Sequence, residues 1–238
     1  MNLLVVTGTG TEVGKTIVTA AIAALAHAAG KSVTVVKAAQ TGVAPLEEGD
    51  VDVIRRLSGI TEVREVARYP EPLAPATAAR RSGMAAVTTR DVVDVVAARA
   101  GDDVVLVEGA GGLLVHLNDR GETLADVACE LAAPILVVST AGLGTLNAVA
   151  LTCEALRARD LHCVGIVIGS WPAAPDLATA CNLDDVSAYG GAPLLGVLPA
   201  GAGDLTPADF LEVAGRGLSP VFGGTFAITA FAARHATQ

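Results

Sequence analysis

The densest chemistry in the chain follows its first apolar run, in Gly8-Thr9-Gly10-Thr11-Glu12-Val13-Gly14-Lys15-Thr16. Glycines let a backbone close around a phosphate, and the amides that open a helix point at it. In such a loop Lys15 reaches the β- and γ-phosphates of a nucleotide and the Thr16 hydroxyl ligates Mg2+. The spacing is unusual, because five residues rather than the standard four separate Gly8 from Gly14. A second lysine heads Lys37-Ala-Ala-Gln-Thr-Gly42, and lysine is rare here, occurring only at positions 15, 31 and 37. A second cation beside Lys15 suits a site where negative charge builds on a transferring phosphoryl group. Thr41 adds a hydroxyl able to hydrogen-bond a substrate amine or carbamate. Glu108, in Glu108-Gly-Ala-Gly-Gly112, stands where an acid at a strand exit can hold Mg2+. Gly49-Asp50-Val51-Asp52 offers another carboxylate; spacing does not separate Asp50 from Asp52, and Asp50 is equally a good N-cap.

These residues need a scaffold that brings loop ends together. Short apolar runs predict strands at Leu3–Thr7, Val33–Lys37, Asp103–Val107, Ile135–Ser139, Val164–Ile168 and Leu194–Leu198. They are continuously apolar rather than alternating, as when helices cover both faces of a sheet. Between them helices are expected at 15–29, from near Val51, and at 89–100, 123–131, 144–159 and 176–189. The order argues for one doubly wound, mostly parallel α/β sheet over residues 1–238, with a modified phosphate loop after the first strand. Every motif above falls at a strand's carboxyl end, where such sheets bind ligands. Tyr69-Pro-Glu-Pro-Leu-Ala-Pro reads as a local loop, and the tail after about 225 is expected to be disordered, with 234–238 frayed.

Composition excludes other classes. Hydrophobic residues make up 52% and charged residues 17%, which rules out intrinsic disorder. A formal charge of −9 repels a phosphate backbone, which argues against nucleic acid as a partner. No apolar run approaches the roughly 18 residues of a membrane span, and Leu3–Val6 is too short for a signal peptide. Cys129, Cys153, Cys163 and Cys181 form no C-x-x-C pair, consistent with free thiols in a reducing cytoplasm.

Taken together, GTGTEVGKT with its five-residue gap, Lys37 with Gln-Thr-Gly, Val107-Glu-Gly-Ala-Gly-Gly112, Leu143-Gly-Thr-Leu-Asn147 and Pro193-Leu-Leu-Gly-Val-Leu-Pro199 resemble the dethiobiotin synthetase family, from residue 3 to about 201. The resemblance implies a P-loop NTPase-like fold and ring-closing carboxylation of 7,8-diaminononanoate by CO2 and ATP, through a carbamate and a carbamic–phosphoric anhydride. It implies Mg2+ held by Thr16, Asp50 and Glu108, charge stabilisation by Lys15 and Lys37, and contact of Thr11 and Thr41 with the diamine or carbamate. The nucleotide would be bound by Glu12, Val13, Gly14, Lys15, Thr16 and Ile17, by Asp50 and Glu108, and by Gly109, Ala110 and Gly111, the last also facing substrate. The family's homodimer would receive the substrate carboxylate at Gly144, Thr145, Leu146 and Asn147, where a helix start offers free amides.

Two departures stand out. The family's Lys-Pro is Lys37-Ala38 here, and its base-reading Asn-Asp is replaced by Gly169-Ser170. Base recognition is then expected to rest on backbone groups there and on Val197, Leu198, Pro199, Ala200 and Gly201, with weak discrimination among nucleoside triphosphates. A ParA/MinD-like ATPase switch shares the loop but requires an additional lysine where Thr9 and Gly10 stand. An amidase-type ligase would require a glutaminase domain. His116 and His162 carry no assigned role, and Trp171 reads equally as a stack on the base or as packing.

Overall fold

The computed structural model describes residues 3–235. β1 (Leu3–Gly8) leads into α1 (Lys15–Ala28), β2 (Val33–Lys37), the two-residue β3 (Gln40–Thr41) and α2 (Asp50–Ser58). Next come β4 (Val63–Glu65), β5 (Arg68–Tyr69), α3 (Pro75–Ser82), α4 (Thr89–Ala97) and β6 (Val104–Glu108). Strand and helix then alternate through α5 (Leu124–Glu130), β7 (Ile135–Thr140), α6 (Thr145–Arg157), β8 (Cys163–Trp171), α7 (Leu177–Gly190) and β9 (Leu194–Pro199). The helices α8 (Pro207–Gly217) and α9 (Ile228–His235) follow.

Seven strands form one parallel sheet in the order β4-β2-β6-β1-β7-β8-β9. All six expected strands are present: β1, β7 and β9 are one residue longer, β6 is shifted by one, and β8 is four residues longer. The seventh, β4, carries Arg64 and Glu65 and so lacked an apolar signature. A separate pair joins β3 to β5, Gln40 opposite Arg68 and Thr41 opposite Tyr69. Side chains alternate across the pleat. Leu4, Val6, Val35, Leu106, Leu136 and Val138 face Val18, Ile54 and Phe210 of α1, α2 and α8. Val5, Val36, Val107, Ile135 and Val137 face Val92, Ala125 and Leu156 of α4, α5 and α6. Burial on both faces is why the strands read as unbroken apolar runs.

The tail corrects the expectation of disorder after 225. Aromatics are scarce, yet Phe226, Phe231 and Trp171 cluster: Phe231 meets Trp171 edge-on at 5.3 Å and stacks on His235 at 4.3 Å. That contact seats α9 against the end of β8, so Arg234 and His235 are helical, whereas 236–238 lie outside the described residues. Trp171 is buried there, as packing. The Tyr69–Pro75 loop likewise ends in a helix, α3, with Pro75 at its start, where a missing amide hydrogen costs nothing. Among the described residues no helix is long and apolar enough to cross a membrane.

The stretch 109–123, which runs from the end of β6 to α5, is latched by Glu122. Its carboxylate accepts from Thr89 N at 2.7 Å, Asn118 Nδ2 at 2.9 Å and Arg120 Nη2 at 2.6 Å. The Thr89 amide first, then Asn118 and Arg120, hold its pKa down to about 2. A depressed carboxylate contributes stability above its unfolded value near 4.3, and this is lost as pH falls through about 2. Glu122→Gln should therefore lower Tm at pH 7 by about 2–6 °C, the gap to wild type narrowing below about pH 4 and closing near pH 2. Parallel melts at pH 7 and pH 3 check this; an equal gap at both would contradict it.

Candidate active site

The phosphate loop lies between β1 and α1 and rests on β8. Gly14 caps α1 in a left-handed conformation, φ 91°. A Cβ there would sit 2.5 Å from Gly169 O, and a Cβ on Gly169 would sit 2.3 Å from Val13 O. The two glycines are back to back, so Gly169 is required for the loop to seat on the sheet. That is a packing role which the sequence comparison with Asn-Asp did not suggest. Lys15 is 7% exposed and its Nζ donates to Gly10 O at 2.8 Å. Burial and then the charge of Lys37 lower its pKa to about 8, against the opposing pull of Glu108 and Asp50.

Lys37 and Glu108 meet because they are register partners at the ends of neighbouring parallel strands. Lys37 Nζ lies 2.7 Å from Glu108 Oε1, 2.5 Å from Asp50 Oδ2 and 3.1 Å from Gly109 O. Burial opposes the charge on Lys37, but Glu108 and Asp50 together outweigh it and raise the pKa, so the ammonium is held charged. Thr16 Oγ1 donates to the same Glu108 oxygen at 3.0 Å. Ala38 N donates to the Glu108 carbonyl at 2.9 Å, extending the β2–β6 ladder. A proline could not make that bond.

Asp50 and Asp52 separate cleanly. Gly49, not Asp50, is the N-cap of α2, and Asp50 is its first residue. Asp52 turns outward, accepting from Gly49 N at 3.0 Å and Arg55 Nη1 at 2.9 Å. Asp50 turns inward to Lys37.

These groups surround a cavity of about 790 Å3. Thr11, Glu12, Gly14, Lys15, Thr16, Ile17, Lys37, Thr41, Asp50, Ala110 and Gly111, all candidate site residues, line it. Its other wall was not foreseen: Ala39, Gln40 and Gly42 with Pro72, Leu73, Ala74, Pro75 and Val115. Pairing of β3 with β5, and Gly42 N donating to Tyr69 O and Glu71 O, brings the proline segment across from Thr41. No sequence signal marks a two-residue strand. Glu108 and Gly109 lie beneath the cavity rather than on its wall, with Glu108 fully buried. Val13 is also off the wall.

Two expected groups stand apart from this cavity. Gly169, Ser170 and Val197–Gly201 adjoin one another, with Trp171 opposite Pro199 and Ala200 N donating to Trp171 O at 2.8 Å. Of these, Gly169 backs the phosphate loop at Val13 and Gly14. Gly144, Thr145, Leu146 and Asn147 open α6 outside the cavity. Gly144 is the cap of α6 and Thr145 its first residue, with the Thr145 hydroxyl donating to Thr140 O at 2.7 Å.

The donor set fits a hard divalent cation. Glu108 Oε2 is buried without a hydrogen-bond partner, and Thr16 and Asp50 adjoin the same acid–lysine cluster. Among the described residues no three His, Cys, Asp or Glu side chains cluster as a metal cage. Two carboxylates and a hydroxyl suit Mg2+, which keeps waters and substrate phosphates in its shell.

Comparison with known proteins agrees with this geometry. The AAA domain family profile matches residues 2–206. The chain is 60% identical over 242 residues to an ATP-dependent dethiobiotin synthetase from Frankia casuarinae, covering 100% of both chains. It is 57% identical to the Streptomyces coelicolor enzyme over 99% of both, and 62% identical to that of Saccharopolyspora erythraea over 94% of this chain and 98% of the other. The chain belongs to the ATP-dependent dethiobiotin synthetase family. It is accordingly an ATP-dependent ligase of biotin biosynthesis. Solved structures below this level of identity speak only to the fold of the dethiobiotin synthetase chain. FtsY of Thermotoga maritima matches with a TM-score of 0.53 at 19% identity over 90% of this chain and 68% of the other. The MinC:MinD complex of Aquifex aeolicus matches at 0.52 and 14%, over 98% and 95%. Both are consistent with a P-loop NTPase architecture.

Proposed function

We propose that this enzyme, acting as one P-loop domain per subunit of a cytoplasmic homodimer, closes the ureido ring of dethiobiotin from 7,8-diaminononanoate, CO2 and ATP. One amine adds to CO2, forming an N–C bond and losing a proton to give a carbamate. A carbamate oxygen attacks the γ-phosphorus while the β–γ bridging bond breaks, releasing ADP. The second amine then attacks the carbonyl carbon of the mixed anhydride, and phosphate leaves. Each step depends on positioning and charge rather than on a covalent nucleophile from the protein.

The observation that carries this reading is the convergence of Lys15, Lys37 and Asp50 on one cavity, with Glu108 buried beneath them and paired to Lys37. Lys15 and Lys37 would stabilise the charge that develops on the transferring phosphoryl group. Thr11 and Thr41, on the wall, would orient the diamine and its carbamate, with Gly111 beside them. Thr16, Asp50 and Glu108 would hold Mg2+, which supplies charge neutralisation at the phosphates. The Gly144–Asn147 segment, in which Gly144 and Asn147 are exposed beside Leu143 at 91% exposure while Thr145 is buried, would receive the substrate carboxylate across the dimer. Phosphate release from MgATP tests the reading. It should require both the diamine and bicarbonate and match dethiobiotin one to one; release dependent instead on a protein or membrane surface would favour a switch.

The base site yields a further expectation. With Gly169 committed to packing on Gly14, only the short Ser170 hydroxyl stands there to read a base edge. The kcat/KM values for ATP, CTP and GTP should lie within about tenfold, and an ATP preference of about a thousandfold, roughly 4 kcal/mol, would contradict this.

A further inference from the structure

Asp50 sits at the end of an eight-residue stretch, 42–49, that has no regular structure and would ordinarily be mobile. Its carboxylate nevertheless points at Lys37. A closed ring of contacts accounts for this. Glu65 is the register partner of Lys37 on the edge strand β4. It grips Arg68 through two bonds, Nε to Oε1 at 2.5 Å and Nη2 to Oε2 at 2.9 Å. Arg68 Nη1 then donates to Ala44 O at 3.0 Å and Glu47 O at 2.8 Å, fixing the loop from beneath. Gln40, opposite Arg68 in the β3–β5 pair, accepts the Asp50 amide on Oε1 at 2.9 Å. Gly49 is wedged between the two, since a Cβ there would lie 2.7 Å from Arg68 Nη2 and 3.2 Å from Gln40 Oε1. The ring closes where Asp50 Oδ2 meets Lys37.

We propose that Arg68 and Gln40 are positioning residues that aim the Asp50 carboxylate into the site, and that the small β3–β5 pair exists to hold them in register. This rests on the reading of Asp50 as a ligand of the divalent cation. A carboxylate displaced by about 1 Å is enough to cost two orders of magnitude in a positioned site.

Mn2+ titrated against the enzyme with a non-hydrolysable ATP analogue, followed by electron paramagnetic resonance, tests the ring without turnover. Asp50→Ala, Arg68→Met and Gln40→Met should each weaken Mn2+ about tenfold, while Gln40→Glu, which keeps the acceptor for the Asp50 amide, stays within about threefold of wild type. Hydrogen exchange at the Asp50 amide should be at least tenfold faster in Gln40→Met than in Gln40→Glu, at unchanged Tm. If Arg68→Met does not fold, Arg68→Lys and the Gln40 pair decide. Weakening in Asp50→Ala with wild-type affinity in the Arg68 and Gln40 variants would overturn the ring alone. Unchanged affinity in Asp50→Ala would remove the metal reading and the ring with it.

Discussion

Lys37→Met should lower kcat about a thousandfold, roughly 4 kcal/mol of transition-state stabilisation, while changing the dissociation constant of MgATP less than about fivefold. The asymmetry follows from placement. On the proposed reading, Lys15 and the loop amides between Gly8 and Thr16 would surround the phosphates whether or not Lys37 is charged. Lys37 is 3% exposed, fixed by two carboxylates and a carbonyl, and its charge does not need to be recruited from solvent. A fixed ammonium in a low-dielectric site stabilises charge that appears only during transfer, which raises kcat rather than affinity. Steady-state kinetics with nucleotide binding by calorimetry checks both halves. Loss of binding with kcat intact would assign Lys37 to ground-state binding instead.

Glu108→Ala should cost about 3 kcal/mol of stability and about 6–12 °C in Tm, because it leaves a fully buried ammonium with only Asp50 to pair it. The double variant Lys37→Met, Glu108→Leu should recover most of that loss, since replacing a buried ion pair by apolar side chains is often neutral. It should nevertheless remain inactive. Urea or thermal denaturation of the two variants separates the energetic role of the pair from its chemical one. A single Glu108→Ala variant as stable as wild type would show that the pair carries no burial penalty.

The parts of this site that announce themselves in sequence are those with strong local signatures. The loop from Gly8 to Thr16 is bracketed by an apolar strand and a helix, and Lys37 and Glu108 end apolar runs whose parallel register then brings them together. What sequence leaves open depends on tertiary contact. Asp50 and Asp52 differ by less than a helical turn, and only the capping bond from Gly49 to Asp52 and the inward pairing of Asp50 distinguish them. The Pro72–Pro75 wall depends on two-residue strands, too short for any periodicity. Gly169 reads as a missing base-reading side chain, whereas its contact with Gly14 makes it part of the loop's foundation. The final helix is specified by three aromatic rings brought together from residues 171, 226 and 231.

The route of oxygen tests the chemistry most directly. Single turnover with 18O-labelled bicarbonate, the diamine and unlabelled MgATP should give inorganic phosphate carrying one heavy oxygen per molecule, inherited from the carbamate. Phosphate holding oxygen only from ATP and solvent would mean that the carboxylated amine never attacks the γ-phosphorus, and the convergence of Lys15 and Lys37 would need another purpose.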